Sequence, residues 1–356
     1  MIWRPRKNLN DVNAPQPIIR NQSLDALRGV AISLVLGRHF NYYSLWHRIG
    51  WVGVDLFFVL SGFLVSGLLF HSYKEHGALY IRRFILRRGL KIWPGFYALL
   101  LFALLLCRIS STPVPWQQMA LSATFLQNYF GPSFWPLGHI WSLAVEEHFY
   151  LFLPLLLLVL VKLRPTSPFS VIPQISVFLI LVCLALRYFT TYPGQYVSIK
   201  ATHLRIDGLF AGVTLGYWFH FRTDIFARLA GTWSLVAAAL CCLPMFFFEM
   251  DSRTMQTLGS TMLLLGFSLL TAWSVSRAPT NYATRKVSSA LSQVGYYSYS
   301  IYLWHFALGI MSHSAFPQSG FAFWCYILFA IAVGVVMAEA IEMPFLRLRE
   351  KIMPRV

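Results

Sequence analysis

The feature that most constrains this chain is the recurrence of apolar runs about twenty residues long, the length a helix needs to cross a bilayer. Ten such runs can be read: 24–44, 51–70, 92–107, 141–161, 171–189, 203–221, 229–247, 257–275, 293–313 and 321–342. The third is short. A further stretch, 119–129, is interrupted by Ser122, Thr124, Gln127 and Asn128, and it reads as interfacial or re-entrant rather than as a span. A segment in lipid must satisfy all its own backbone polar groups, which leaves helices for runs of this length. The pattern predicts an all-α fold, a polytopic membrane helix bundle of about ten transmembrane helices.

The charges between the runs set the orientation. With the N-terminus inside, 21 of the 29 Lys and Arg fall on inner segments, five on outer segments or, for Arg187, at the outer end of a span, and three elsewhere within the spans. That asymmetry is the positive-inside pattern, and it puts both termini in the cytoplasm. Counting 119–129 as a span would invert everything after it and move Lys162, Arg164, Arg285 and Lys286 outside. The organisation expected is a cytoplasmic tail at 1–23, one membrane domain at 24–345 and a cytoplasmic tail at 346–356.

Composition agrees. Charged residues make up 12% of the chain, where soluble domains carry about 25%. The net charge of +16 would suit nucleic acid only on an exposed basic face of a soluble fold, and here it lies between apolar runs. All five cysteines fall in apolar stretches without metal-ligand spacing, so neither a metal nor a disulfide is expected, nor any permanently bound cofactor. The first 23 residues have no apolar core of the kind a cleaved signal peptide needs.

Ionisable groups inside spans are costly and mark either a site or a structural pair. Arg28 and His39 are eleven residues apart in the first run. At 100° per residue they share a helix face, separated by a rise of roughly 16 Å. Asp55 in the second run and Glu146 in the fourth lie at about the depth of His39. Arg82, Arg83, Arg87, Arg88 and Lys91 crowd the inner surface near Arg28 and Glu342. A basic inner cluster beneath an outer layer of His and carboxylates suggests two ligands, one entering from each side. Blander readings compete. A run such as 82–91 usually anchors lipid headgroups, and Glu147 and Glu339 fit helix–helix hydrogen bonds. Arg205 and Asp207, two apart, do not face each other on a helix, so each is expected to pair elsewhere.

The segment Ser23-Leu24-Asp25-Ala26-Leu27-Arg28-Gly29-Val30-Ala31, followed by His39, resembles the opening of the acyltransferase 3 family of membrane acyltransferases. Three more blocks follow in the family's order: Gly53-Val54-Asp55-Leu56-Phe57-Phe58, Arg87-Arg88-Gly89-Leu90-Lys91-Ile92-Trp93-Pro94, and Trp141-Ser142-Leu143-Ala144-Val145-Glu146-Glu147-His148-Phe149-Tyr150. The tail Tyr299-Ser300-Ile301-Tyr302-Leu303-Trp304-His305 and Glu342-Met343-Pro344 are similar to its late helices. The resemblance runs over roughly 23–345. Two positions depart from it: Lys91 stands where Arg is usual, keeping the charge but losing the bidentate fork, and His148 stands where Gln is usual.

The resemblance implies O-acyl transfer, usually O-acetyl transfer, from cytoplasmic acyl-CoA as donor substrate to a hydroxyl of a glycan, a glycoside or a lipid-linked sugar. It implies a multi-pass protein of the bacterial inner membrane that modifies polysaccharide or a related acceptor. The residue chemistry fits. Arg87 and Arg88, with Arg28 and Lys91, suit clustered phosphates through charge-assisted contacts. His39 suits the general base that takes the acceptor's proton, or a histidine that is itself acylated. Asp55 would orient His39 and support the imidazolium, while Glu146 would bind sugar hydroxyls or take over that orienting role. The competing class is a transporter or flippase for the same glycan, which would work without a thioester donor and often shows internal repeats. No repeat is visible.

Overall fold

The computed structural model describes residues 21–40, 42–130, 134, 136–190, 200–277, 282–315 and 319–354, with the backbone alone for 307–315. Most of the expected N-terminal tail, residues 1–20, lies outside the described residues. Among the described residues there is no strand. The helices used below are α1 (Gln22–His39), α2 (Val52–His76), α3 (Ile81–Ile109), α4 (Trp116–Ala123), α5 (Trp141–Leu163) and α6 (Ile172–Thr190). They continue with α7 (Ile206–Phe221), α8 (Met255–Val275), α9 (Tyr282–Tyr296), α10 (Ser298–Ala315) and α11 (Gly320–Met337). The wide turn Ala338–Glu342 leads into α12 (Met343–Ile352).

Six of these units are long and apolar enough to cross a membrane among the described residues: α2, α3, α5, α6, α8 and the joined Gly320–Ile352. A seventh arises if Thr223–Leu229 and Trp233–Phe247, bent by 67°, form one broken span. The chain is therefore a multi-pass helical membrane protein. The runs expected at 24–44, 203–221 and 293–313 correspond to α1, α7 and α10. Of these, α1 carries Asp25, Arg28 and Arg38, and α7 has 16 residues. The expected re-entrant stretch 119–129 begins inside α4, whose eight residues are too short to span. Its end is tied to α3, because Tyr97 Oη donates to the Ala123 carbonyl at 3.0 Å.

Local signals explain where the elements start and stop. The Asn21 side chain accepts from the Ser23 and Leu24 backbone N–H groups at 3.0 and 3.2 Å, and Asp25 sits in the first turn of α1. Both complement the partial positive charge there. Gly77, at φ +66, closes α2 with its N–H on the Tyr73 carbonyl, a left-handed conformation that glycine adopts without a Cβ clash. α3 then begins at Ile81. The basic run 82–91 is thus the first part of a long helix, which extends the short third apolar run 92–107 at its N-terminal end.

Close backbone approach fixes the neighbours of α1 and α2. A Cβ on Gly62 would collide with the Leu209 carbonyl, and one on Gly212 with the Val59 carbonyl, so α2 and α7 pack nearly backbone to backbone. α1 and α9 do the same through Gly29 against Leu291 and Gly295 against Asp25. Small residues at helix crossings are the usual means of tight association where no solvent drives it. One apolar cluster around Leu36, Phe96, Tyr302 and Phe323 joins α1, α3, α10 and α11. A second, around Val65, Phe149 and Phe210, joins α2, α5 and α7.

Two expectations change in detail. Arg187, placed on the outer side by the loop count, is 1% exposed and lies inside the bundle, bonded to Asp207 at 2.7 Å. A buried acid on the next helix makes that position tolerable for a cation. Residues 346–352 of the expected C-terminal tail are helical: α12 continues α11 through the wide turn at Ala338–Glu342 and lies against α3.

Candidate active site

A cavity of about 520 Å³ opens between the two apolar clusters, within the range of small-molecule and cofactor sites. One end of it is cationic. Arg83, Arg87 and Lys91 recur every four residues on α3 and so share one face, with Arg88 beside them. Arg28 from α1 and Arg349 from α12 complete the ring. Arg28 has Asp25 within 3.9 Å. The Arg88 guanidinium lies 5.3 Å from the centroid of the Tyr150 ring and 5.9 Å from that of Phe84, which holds it by cation–π attraction while its donors face the cavity. Lys91 sits in the field of Arg28, Arg88 and Arg349 and of the acid Glu342.

Halfway along, the wall becomes polar on one side. Ser61 Oγ and Tyr150 Oη are 2.7 Å apart, Ser61 also reaches Glu146 Oε2 at 3.3 Å, and the Tyr150 hydroxyl donates to the same carboxylate. Glu146 and Tyr150 are one turn apart on α5, so the acid and its donor lie on one face. Glu147 is rotated away by one residue and accepts from Trp93 Nε1 at 3.2 Å, the helix–helix bond its position suggested. Glu339 likewise accepts from Tyr297 Oη at 3.0 Å. The rest of the face that α2 turns to the cavity is apolar, with Val54, Phe57, Leu60 and Leu64.

The far end is closed by Ser142 and Tyr302. Tyr302 Oη donates to the His139 carbonyl at 2.7 Å, so the Ser142 hydroxyl, 2.5 Å away, must donate to Tyr302. Behind this layer stand three histidines. The rings of His39 and His305 are 5.0 Å apart, and those of His139 and His305 are 5.1 Å apart. His305 Nδ1 lies 2.7 Å from the Tyr302 carbonyl, which can only accept, so that nitrogen carries the proton. In neutral His305 the Nε2 lone pair is then open, and that atom is buried with no hydrogen-bond partner among the described residues.

The structure brings five of the seven sequence-predicted residues round one cavity: Arg28, Arg87, Arg88, Lys91 and Glu146. His39 stands beyond its far end, next to His305 and Phe306. Asp55 is paired with Arg205 rather than with His39. Its Oδ1 takes Arg205 Nη2 at 2.5 Å, and the charged and titratable groups bearing on His39 are His305, His139, Arg38 and His47. The reason is the tight crossing of α2 and α7, which carries Arg205, at the start of α7, to the level of Asp55. Arg205 and Asp207 pair with Asp55 and Arg187, each with a different helix, as their spacing required.

Sequence reasoning passed over His139, His305 and Arg349. His139 precedes the span 141–161, where no helical face is defined. His305 was visible as an ionisable residue in an apolar run, but its approach to His39 needs α1 and α10 to be neighbours. Arg349 was assigned to a tail.

An arginine mouth that suits phosphates leads through an apolar and hydroxyl-lined passage to the Ser142–Tyr302 layer, with the histidine cluster behind it, and this layout can hold a long anionic molecule with its far end against that layer. A protein of Staphylococcus aureus (strain COL) named "Putative O-acetyltransferase" is 30% identical over 354 residues, covering 90% of this chain and 56% of that protein. O-acetyltransferase OatA of Staphylococcus aureus (strain NCTC 8325) is 26% identical over 335 residues, covering 89% of this chain and 55% of its own length. The chain thus spans about half the length of the curated relatives it matches. No solved structure matches it. The family described as "Acyltransferase domain" matches residues 21–341, and the chain belongs to that family.

Proposed function

We propose that this chain is a membrane O-acetyltransferase that takes its acyl group from acyl-CoA entering at the cytoplasmic mouth. The acceptor is a hydroxyl of a glycan or lipid-linked sugar reached at the outer end. The observation that carries this reading is the single cavity joining Arg28, Arg87, Arg88 and Lys91 to the Ser142–Tyr302 layer, with His39 and His305 directly behind it. The relatives' names supply the acetyl group. Ten spans, both termini in the cytoplasm and a bacterial inner membrane complete the proposal.

In the proposed step, the acceptor oxygen attacks the thioester carbonyl while His39 takes the hydroxyl proton. The C–S bond breaks, the thiolate leaves, and the imidazolium returns the proton to sulfur. His305, whose ring stands 5.0 Å from that of His39, would orient it, the part first given to Asp55. Asp55, paired with Arg205, holds α2 and α7 in register behind the site. Glu146, with Ser61 and Tyr150, lines the passage and binds polar groups of the donor arm or of the acceptor.

The test is acyl transfer by the purified chain in lipid, from acetyl-CoA labelled in the acetyl group to a panel of glycans and glycolipids. Label should appear in ester linkage on a hydroxyl. Movement of the glycan across the bilayer with no consumption of acetyl-CoA would replace this reading with a transporter.

A further inference from the structure

The helix α12 crosses the inner rim of the cavity and brings both a cation and an anion to the arginines of α3. Arg349 lines the cavity beside Arg87 and Arg88. The neighbouring Glu350 turns its carboxylate onto the same group: Oε1 accepts from Arg87 Nη2 at 2.8 Å and from Arg349 Nη2 and Nε at 2.7 and 3.1 Å. Arg87 also donates to the Met353 carbonyl, and Arg83 to the Pro354 carbonyl, so the end of α12 is stitched to the basic face. One carboxylate oxygen therefore sits where two guanidinium forks converge. A phosphate oxygen would seek the same position, because planar forks bind both anions in the same bidentate manner.

The two partners differ in how readily they can leave. The Glu350 side chain is 40% exposed, whereas those of Arg87 and Arg349 are 18% and 14% exposed. An exposed ion pair is held by at most about 1 kcal/mol, so an incoming phosphate can displace Glu350 while the guanidinium groups stay on the cavity wall. A donor carrying several phosphates offers more charge than the single carboxylate it replaces.

We propose that Arg349 is a further ligand for the donor's phosphates, and that Glu350 is an internal anion competing with them for Arg87 and Arg349. The last helix then sets donor affinity: Glu350 satisfies the arginines when the cavity is empty and is displaced when the donor enters. This rests on the reading that the donor is acyl-CoA. It adds a residue from the far end of the chain to the mouth and a reason for an acid to be placed there.

The experiment is calorimetric binding of CoA, and of pantetheine as the phosphate-free probe, to the purified full chain. Glu350→Gln should bind CoA roughly two- to fivefold tighter, as loss of one exposed competing pair implies. Glu350→Ala should do the same. Arg349→Ala should bind CoA roughly tenfold weaker or more, as loss of a charged hydrogen bond implies. Pantetheine binding should be the same in all four proteins. CoA binding that is equal in wild type and variants would overturn the inference and leave the donor reading standing. A loss in Arg349→Ala that is equal for CoA and pantetheine would also overturn it, since the role would then be structural. Wild type that binds no CoA would overturn the donor reading and the inference with it.

Discussion

Arg205 Nη2 lies 2.5 Å from Asp55 Oδ1, and this buried ion pair ties the start of α7 to the first turn of α2. The guanidinium is sandwiched as well, 5.6 Å from the centroid of Phe58 and 5.7 Å from that of Trp141. The charge that Asp55 brings into the bundle is therefore matched by Arg205.

Breaking this pair from one side should destabilise the protein by about 3–5 kcal/mol, because the remaining charge stays buried and unpaired. Asp55→Ala and Arg205→Leu should each lower the midpoint of thermal unfolding in detergent. The double variant should recover much of the loss. Asp55→Asn with unaltered unfolding but no acyl transfer would instead return Asp55 to the chemistry.

The α2–α7 crossing yields a second prediction. At Gly62 and Gly212 an added methyl meets backbone carbonyl oxygen, which cannot move aside as a side chain can. Gly62→Ala and Gly212→Ala should each cost about 1–3 kcal/mol, as overpacking does. Gly67→Ala, where the nearest atom is the His220 ring at 3.4 Å, should cost much less. Equal unfolding midpoints for all three would show that the helices do not pack this closely.

These contacts mark how far the sequence could be read. The apolar runs at 51–70 and 141–161 became α2 and α5 nearly as drawn, because a run of that length in lipid has few alternatives. The pairing of Arg28 with the arginines of α3 followed from depth alone, since charges of one sign collect at one surface. Depth could not say who touches whom. Asp55 and His39 share a level, yet the crossing at Gly62 and Gly212 gives Asp55 to Arg205, and the α1–α10 contact gives His39 to His305. Both depend on which helices become neighbours, which a pattern of hydropathy does not encode. Arg349 was hidden for a different reason: a short polar stretch after the last apolar run looks like a tail, whereas here the helix continues through it and lies along α3.

The cationic mouth gives a third prediction. Arg88→Ala and Arg87→Ala should each weaken CoA binding by about 1.5–3 kcal/mol, the range for a hydrogen bond to a charged group. Lys91→Arg should be neutral or slightly favourable, because a fork replaces a point charge at the same place. Titration calorimetry checks this. Unchanged affinity in the Arg87/Arg88 double variant would reduce the cluster to a lipid anchor.

Topology is checked by reporter fusions. Fusions after Arg164 and after Lys351 should report the cytoplasm, and fusions near Gln195 and Met255 the outside. An external signal after Arg164 would mean that the segment 119–129 crosses the membrane, although its helix, Trp116–Ala123, has eight residues.

The central claim is that His39, behind the closed end of a donor cavity, carries the transfer step. The most direct measurement is label transfer from acetyl-CoA by His39→Ala in membranes, with CoA binding measured on the same protein. A general base contributes about 10²–10⁴-fold to the rate. Transfer should fall by that factor while CoA binding, held by Arg28, Arg87 and Arg88 at the other end of the cavity, stays within about twofold of wild type. Near-normal transfer by His39→Ala, with the protein present at wild-type level, would contradict the account.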